Sequence, residues 1–132
     1  MNALRRTLSL QAAVWAIAGG ALAVAPHFVL VSLFGQPPPD DPAWIRLVGI
    51  QAVTAAMLMV LVARRIDDLW WWSWAFALMN TAVAVLVLLN ATFGLDPGQS
   101  SALWWLFTAV AVGFDLALLY GLFVASRQNP LP

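Results

Sequence analysis

The chain of 132 residues is 63% hydrophobic and only 9% charged, with a mean hydropathy of +0.86. Soluble domains carry about 25% charged residues, so this composition excludes a soluble globule, and it is the opposite of what a disordered chain requires. Six arginines balance six aspartates, so net charge offers no basis for nucleic-acid binding, and the absence of cysteine removes disulfides, thiolate chemistry and cysteine-held metal.

A membrane-crossing helix needs about 20 mainly apolar residues. Four stretches qualify, over residues 8–33, 43–63, 69–93 and 101–125, and predict an all-α, antiparallel four-helix transmembrane bundle occupying residues 1–132 as one domain. The first stretch is longer than one crossing needs. Pro26 removes a helical N–H and clashes with the preceding turn, so a kink or break is expected there, with His27–Phe34 lying along the outer interface or folding back over the bundle. Gly35 and Pro37–Pro39 end the first span, and Asp41 before Pro42 is a strong start for the second. Asp67 or Asp68 is expected to cap the third span, Gly94 to stop it, and Asp96-Pro97-Gly98 to turn the chain. Ser100 or Ser101 is expected to cap the fourth.

Arg5, Arg6, Arg64, Arg65 and Arg127 fall on one side of a four-span chain; Asp40, Asp41 and Asp96 fall on the other, with Arg46 the one cation there. Positive residues remain cytoplasmic, which predicts a multi-pass bacterial inner-membrane protein with both termini in the cytoplasm. The Arg5-Arg6 pair, the apolar run and Ala21-Leu22-Ala23 also resemble a cleavable signal. Cleavage is not expected, because losing the first span would place the termini on opposite sides. Trp70, Trp71, Trp72 and Trp74 at one end, with Trp44, Trp104 and Trp105 at the other, read as interfacial belts. A faint parallel repeat aligns Trp15 with Trp74, Phe34-Gly35 with Phe93-Gly94 and Trp44 with Trp104.

Helices in lipid associate through small residues that permit close approach. The clearest such stripe is Ala109, Gly113, Ala117, Gly121 and Ala125, expected to pack the fourth span closely on the first. The first span offers Ala12, Ala16 and Gly20 with Gly19 beside them, the second Ala52 and Ala56, the third Ser73, Ala77 and Thr81.

Asp115 is the one acid deep in a span. Intramembrane acids are functional candidates by default; the plainer reading is a protonated acid bonded to a neighbouring helix. Asn80 lies at matching depth on the third span and is the expected partner, while Gln51 and Thr54 share one face of the second span and are expected to point into the bundle. At the outer end, His27, Arg46, Asp40 and Asp41 form a candidate shallow polar site. No catalytic set, metal-ligand cluster or phosphate loop is present in the pattern, so no cofactor is implied.

The segments Ala25-Pro26, Phe34-Gly35 and Asp41-Pro42-Ala43-Trp44-Ile45-Arg46-Leu47-Val48-Gly49 resemble a diffuse group of small uncharacterised four-helix bacterial membrane proteins, chiefly over the first half of the chain. The resemblance implies the fold and assigns no activity. Small multidrug exporters are similar in size but carry a functional glutamate in their first helix, and this chain has no glutamate. Small fluoride channels are also similar in size, but their glycine-rich and phenylalanine-rich signatures are missing. The expected role is therefore non-enzymatic: a scaffold, small accessory subunit or homo-oligomer whose partners are the lipid bilayer, other membrane subunits or its own copies. A small proton- or ion-coupled transporter using Asp115, or a lipid or isoprenoid binder, is the alternative. A cavity at Asp115 would favour transport, a lateral apolar groove lipid binding, and a solid bundle scaffolding.

Overall fold

The structure, a computed structural model, describes residues 1–128. Among these the chain is all-helical, without strands. Four helical stretches are long and apolar enough to cross a membrane: Asn2–Val24, Pro42–Arg64, Ile66–Phe93 and Ala102–Gln128.

Helix α1 spans Asn2–Val24 and so starts before the apolar run at residue 8, because Leu4 and Leu8 continue its buried face past the two arginines. It stops at Val24. Ala25, preceding Pro26, adopts φ −134° and ψ 61°, as expected for a residue pushed out of the helical region by the following ring. Phe28–Leu33 then forms a separate π-helical turn. Gly35 closes that turn at φ +60°, a left-handed conformation that favours glycine.

Helix α2 covers Pro42–Arg64, and Asp41 Oδ1 caps it by accepting from the Ala43 N–H at 2.9 Å. Only Arg65 separates α2 from the short helix α3, Ile66–Leu69. Asp67 and Asp68, expected as caps, lie instead inside the first turn of α3, where Arg65 holds the N-cap position. Acidic side chains there still suit the positive helix end, and each meets an arginine: Asp67 with Arg5 at 3.4 Å and Asp68 with Arg65 at 3.3 Å. A 3-10 turn, Trp70–Trp72, leads into α4, Ser73–Phe93. The Gln99 N–H returns to Asp96 O across Pro97-Gly98, with Gly98 at φ +92°. Helix α5, Ala102–Gln128, completes the fold, and Ser100 Oγ accepts from the Ala102 N–H at 3.4 Å.

The chain packs as two hairpins, α1 along α2 and α4 along α5, joined mainly by α1 against α5. The buried apolar core lies at the arginine-bearing end. Leu4, Leu8, Met59, Ile66, Leu118 and Leu122 are fully enclosed there. Trp70 belongs to this core, at 3% exposure, so it is not the interfacial anchor expected of it; Trp71, Trp72 and Trp74 are exposed.

The first hairpin closes on two glycines. A Cβ at Gly19 would sit 2.7 Å from both Ala52 Cβ and Gly49 O, and one at Gly49 would meet Gly19 O at 2.5 Å. The contact thus runs through Gly19 rather than Gly20, around which the space is open.

Candidate functional site

The helix-5 stripe divides into two halves with different surroundings. Gly121 and Ala125 are buried, and a Cβ on Gly121 would lie 3.1 Å from Leu4 Cδ1 of α1. Ala117 is half-buried, whereas Ala109 and Gly113 are exposed, with open space around Gly113. The expected contact with the first helix therefore covers only the arginine-side half, because the hairpins pack closely there and less so beyond it.

Asp115 does not bond Asn80. Its Oδ2 accepts from Thr81 Oγ1 at 2.9 Å, while its buried Oδ1 has no partner. The depth match with the third span was sound, but one residue along a helix is about 100° of rotation, and Thr81 is the residue that faces α5. Asn80 points to the bundle centre instead. Its Oδ1 accepts from Gln11 Nε2 of α1 at 2.8 Å, and both side chains are fully enclosed. Gln11 carried no sequence signal beyond being a polar residue inside an apolar span.

Gln51 and Thr54 are exposed rather than directed into the bundle. Gly49, Ala56, Met59 and Ala63 form the buried face of α2, and Gln51 and Thr54 lie on its far side. Thr54 Oγ1 satisfies itself on Ile50 O at 3.1 Å; the Gln51 carboxamide makes no hydrogen bond among the described residues.

The candidate polar site at the outer loops is not assembled. His27, Asp40, Asp41 and Arg46 are all exposed, and no hydrogen bond or ion pair joins them among the described residues. Asp41 is committed to capping α2. Among the described residues there is no group of three His, Cys, Asp or Glu side chains able to hold a metal.

A groove that the sequence did not disclose lies between the hairpins at the loop end, away from the core. Its volume is about 510 Å³. Leu22, Leu30 and Val48 line it from the first hairpin, and Leu103, Trp104 and Phe107 from α5. Gln36 Nε2 donates to Ser100 O at 2.9 Å and ties the two loops together beside it. Polar groups are few: Asn90, Asp96, Gln99 and Gln36 at the lining, and the buried Trp104 Nε1, which has no hydrogen-bond partner. Trp104 is held edge-on against Phe107, ring centroids 6.5 Å apart. Apolar walls with a few convergent polar groups, at a volume of 300–1,000 Å³, are the usual build of a small-ligand site. Asp115 is not among the lining residues.

Comparison with protein-family models, curated proteins and solved structures finds no match to this chain.

Proposed function

We propose that this chain is a non-enzymatic, multi-pass protein of the bacterial inner membrane, with both termini cytoplasmic, that binds an amphipathic lipid or isoprenoid in the groove between its hairpins. The groove is the observation that carries the reading. Its apolar walls suit a hydrocarbon chain, and the Asn90, Asp96 and Gln99 side chains at its lining suit a polar head. The orientation rests on the arginines, five of which gather at the core end of the bundle, and on their preference for the cytoplasm. Transport through Asp115 is the less supported reading, because that carboxyl is bonded to Thr81 and lines neither of the two concavities described for this fold.

Photo-crosslinking in liposomes tests the groove, with a diazirine-bearing phospholipid and a diazirine-bearing prenyl alcohol as probes. Adducts should concentrate on Leu22, Val48 and Phe107 and should fall when Val48→Trp fills the space. Equal labelling of outward residues such as Leu86 and Leu116 would reduce the groove to ordinary lipid contact.

A second reading, self-association, is favoured by α2. Trp44, Leu47, Gln51, Thr54, Leu58 and Leu61 recur at alternating three- and four-residue steps on one exposed face. That is the heptad spacing of a helix seam, and polar side chains on such a seam bond across helices in lipid. Gln51→Leu should then shift the chain toward monomer in cross-linking and sedimentation measurements, and an unchanged oligomer distribution would reject this reading.

A further inference from the structure

A second concavity lies at the opposite end from the groove, between the start of α1 and the end of α2. Its volume is about 300 Å³, and it is lined by Arg5, Ser9, Val60, Ala63 and Arg64. Two helix turns build it. Arg5 and Ser9 are four apart on α1, and Val60 and Arg64 are four apart on α2, so each pair stacks on one face. The helices run antiparallel, and both guanidiniums stand at the same end with Val60 and Ala63 toward the apolar span. Ala63, 4% exposed, is small enough to leave the space open.

The electrostatics of this pocket are unbalanced. The Arg64 side chain forms no ion pair or hydrogen bond among the described residues. Arg5 has one partner, Asp67, at 3.4 Å, and the two side chains are 44% and 77% exposed. Both side chains are largely open to water, which screens this pair and competes with Asp67 for the Arg5 guanidinium. Arg65 pairs with Asp68 at 3.3 Å and lies outside this pocket. Ser9 Oγ donates to Arg5 O at 2.9 Å and can turn toward a ligand oxygen. Arginine guanidiniums match phosphate oxygens in geometry as well as charge, and basic pockets between spans at the cytoplasmic surface suit anionic lipid headgroups.

We infer that Arg5, Ser9 and Arg64 form a phosphate-binding site, with Val60 and Ala63 placed to receive the apolar part of an anionic phospholipid. The inference rests on the multi-pass membrane reading, and it is independent of the groove at the other end.

Native mass spectrometry of the full chain released from detergent tests it, with phosphatidylglycerol, phosphatidylcholine and inorganic phosphate as probes. The wild type should retain phosphatidylglycerol over phosphatidylcholine. Arg64→Gln, and Arg5→Gln with Arg64→Gln, should lower that preference, the single variant by roughly fivefold and the double by roughly thirtyfold. The control is Arg6→Gln with Arg127→Gln, which removes as much charge from the same end outside the pocket and should lower the preference distinctly less than the pocket double variant. Phosphatidylglycerol that resists excess inorganic phosphate identifies a lipid headgroup as the source, and its displacement identifies a free phosphate; both support the phosphate site. Absence of any preference in the wild type, or equal loss in the control, overturns the site. Groove crosslinking, measured on the same variants, should not change, so failure here is distinguishable from failure of the groove. Cysteine labelling of the loops tests the membrane reading on its own.

Discussion

Gln11 of α1 donates to Asn80 of α4 across the centre of the bundle, at 2.8 Å, between two fully buried side chains. This bond joins α1 of the first hairpin to α4 of the second. The remaining halves of both carboxamides, Gln11 Oε1 and Asn80 Nδ2, have no partner, and Ser73 Oγ, also on α4, is likewise buried and unpartnered. The arrangement specifies which helix faces meet, and each amide depends on the other for its one bond.

That dependence gives asymmetric mutational costs. Gln11→Leu or Asn80→Leu alone leaves a buried amide orphaned and should destabilise by about 1–3 kcal/mol. The double replacement should cost less than the sum, since removing both amides leaves neither of them orphaned. Denaturant titration in mixed micelles would give the coupling, expected near 0.6 and below about 1.7 kcal/mol. Strict additivity of the two single costs would show that the bond does not form.

At Gly19 and Gly49 the backbones of α1 and α2 leave no room for a side chain. An added Cβ at Gly49 would meet Gly19 O at 2.5 Å and Ala23 N at 2.7 Å, both backbone atoms that cannot turn aside. Gly49→Ala and Gly19→Ala should therefore separate the hairpin and lower the melting temperature in detergent, with a cost in the overpacking range of about 1–3 kcal/mol. Gly20→Ala, one position away in open space, is the control and should be neutral or slightly stabilising, as alanine favours helix.

Gly121 and Gly113 share the helix-5 stripe but should respond differently. Gly121→Leu drives a large side chain against Leu4, whose Cα would lie 3.2 Å from the new Cβ, and should disrupt folding. Gly113→Leu enters open space and should change monomer stability by less than about 0.5 kcal/mol. Thermal melting of the two variants side by side decides the matter. A large loss at Gly113 in the monomer would place a helix over that exposed half of the stripe.

Asp115 and Thr81 form the side-chain bond between α4 and α5. Asp115→Asn keeps an acceptor for the Thr81 hydroxyl and should fold with unchanged stability. Thr81→Val removes the donor and leaves both Asp115 oxygens without a partner, and should cost at least about 0.6 kcal/mol, the mean for a membrane hydrogen bond. Proton flux measured in liposomes provides the functional check: wild type and Asp115→Asn should both be silent, and a flux lost in the variant would move the assignment to transport.

Topology can be read directly. Cysteines placed at Asp40 or Asp96 should react with an impermeant maleimide from outside the cell, and one at Asp67 only from the cytoplasmic side. The opposite pattern would invert the orientation assigned from the arginines.

The four long apolar helices were legible because their cause is local. Apolar length sets a helix that can cross a membrane, Pro26 and Gly94 set where regular helix stops, and Asp41-Pro42 carries its own cap in two residues. Each of these depends on neighbours in the chain, not on distant partners. The same is true of the asymmetry in arginine, which is a count along the sequence.

What tertiary structure alone decided was rotation and tilt. Depth along a helix follows from residue number, but which neighbour a residue faces follows from how that helix is turned, and one position is about 100°. Hence Asp115 meets Thr81 rather than Asn80, Asn80 meets Gln11, and Gln51 with Thr54 looks outward instead of into the bundle. Hairpin spacing is equally non-local. Close packing at the arginine end buries Gly121 and Ala125 while leaving Gly113 bare, and the same divergence opens the groove beside Trp104 at the other end. A repeating stripe of small residues records where close approach is possible, and only the packed fold determines which part of the stripe a second helix covers.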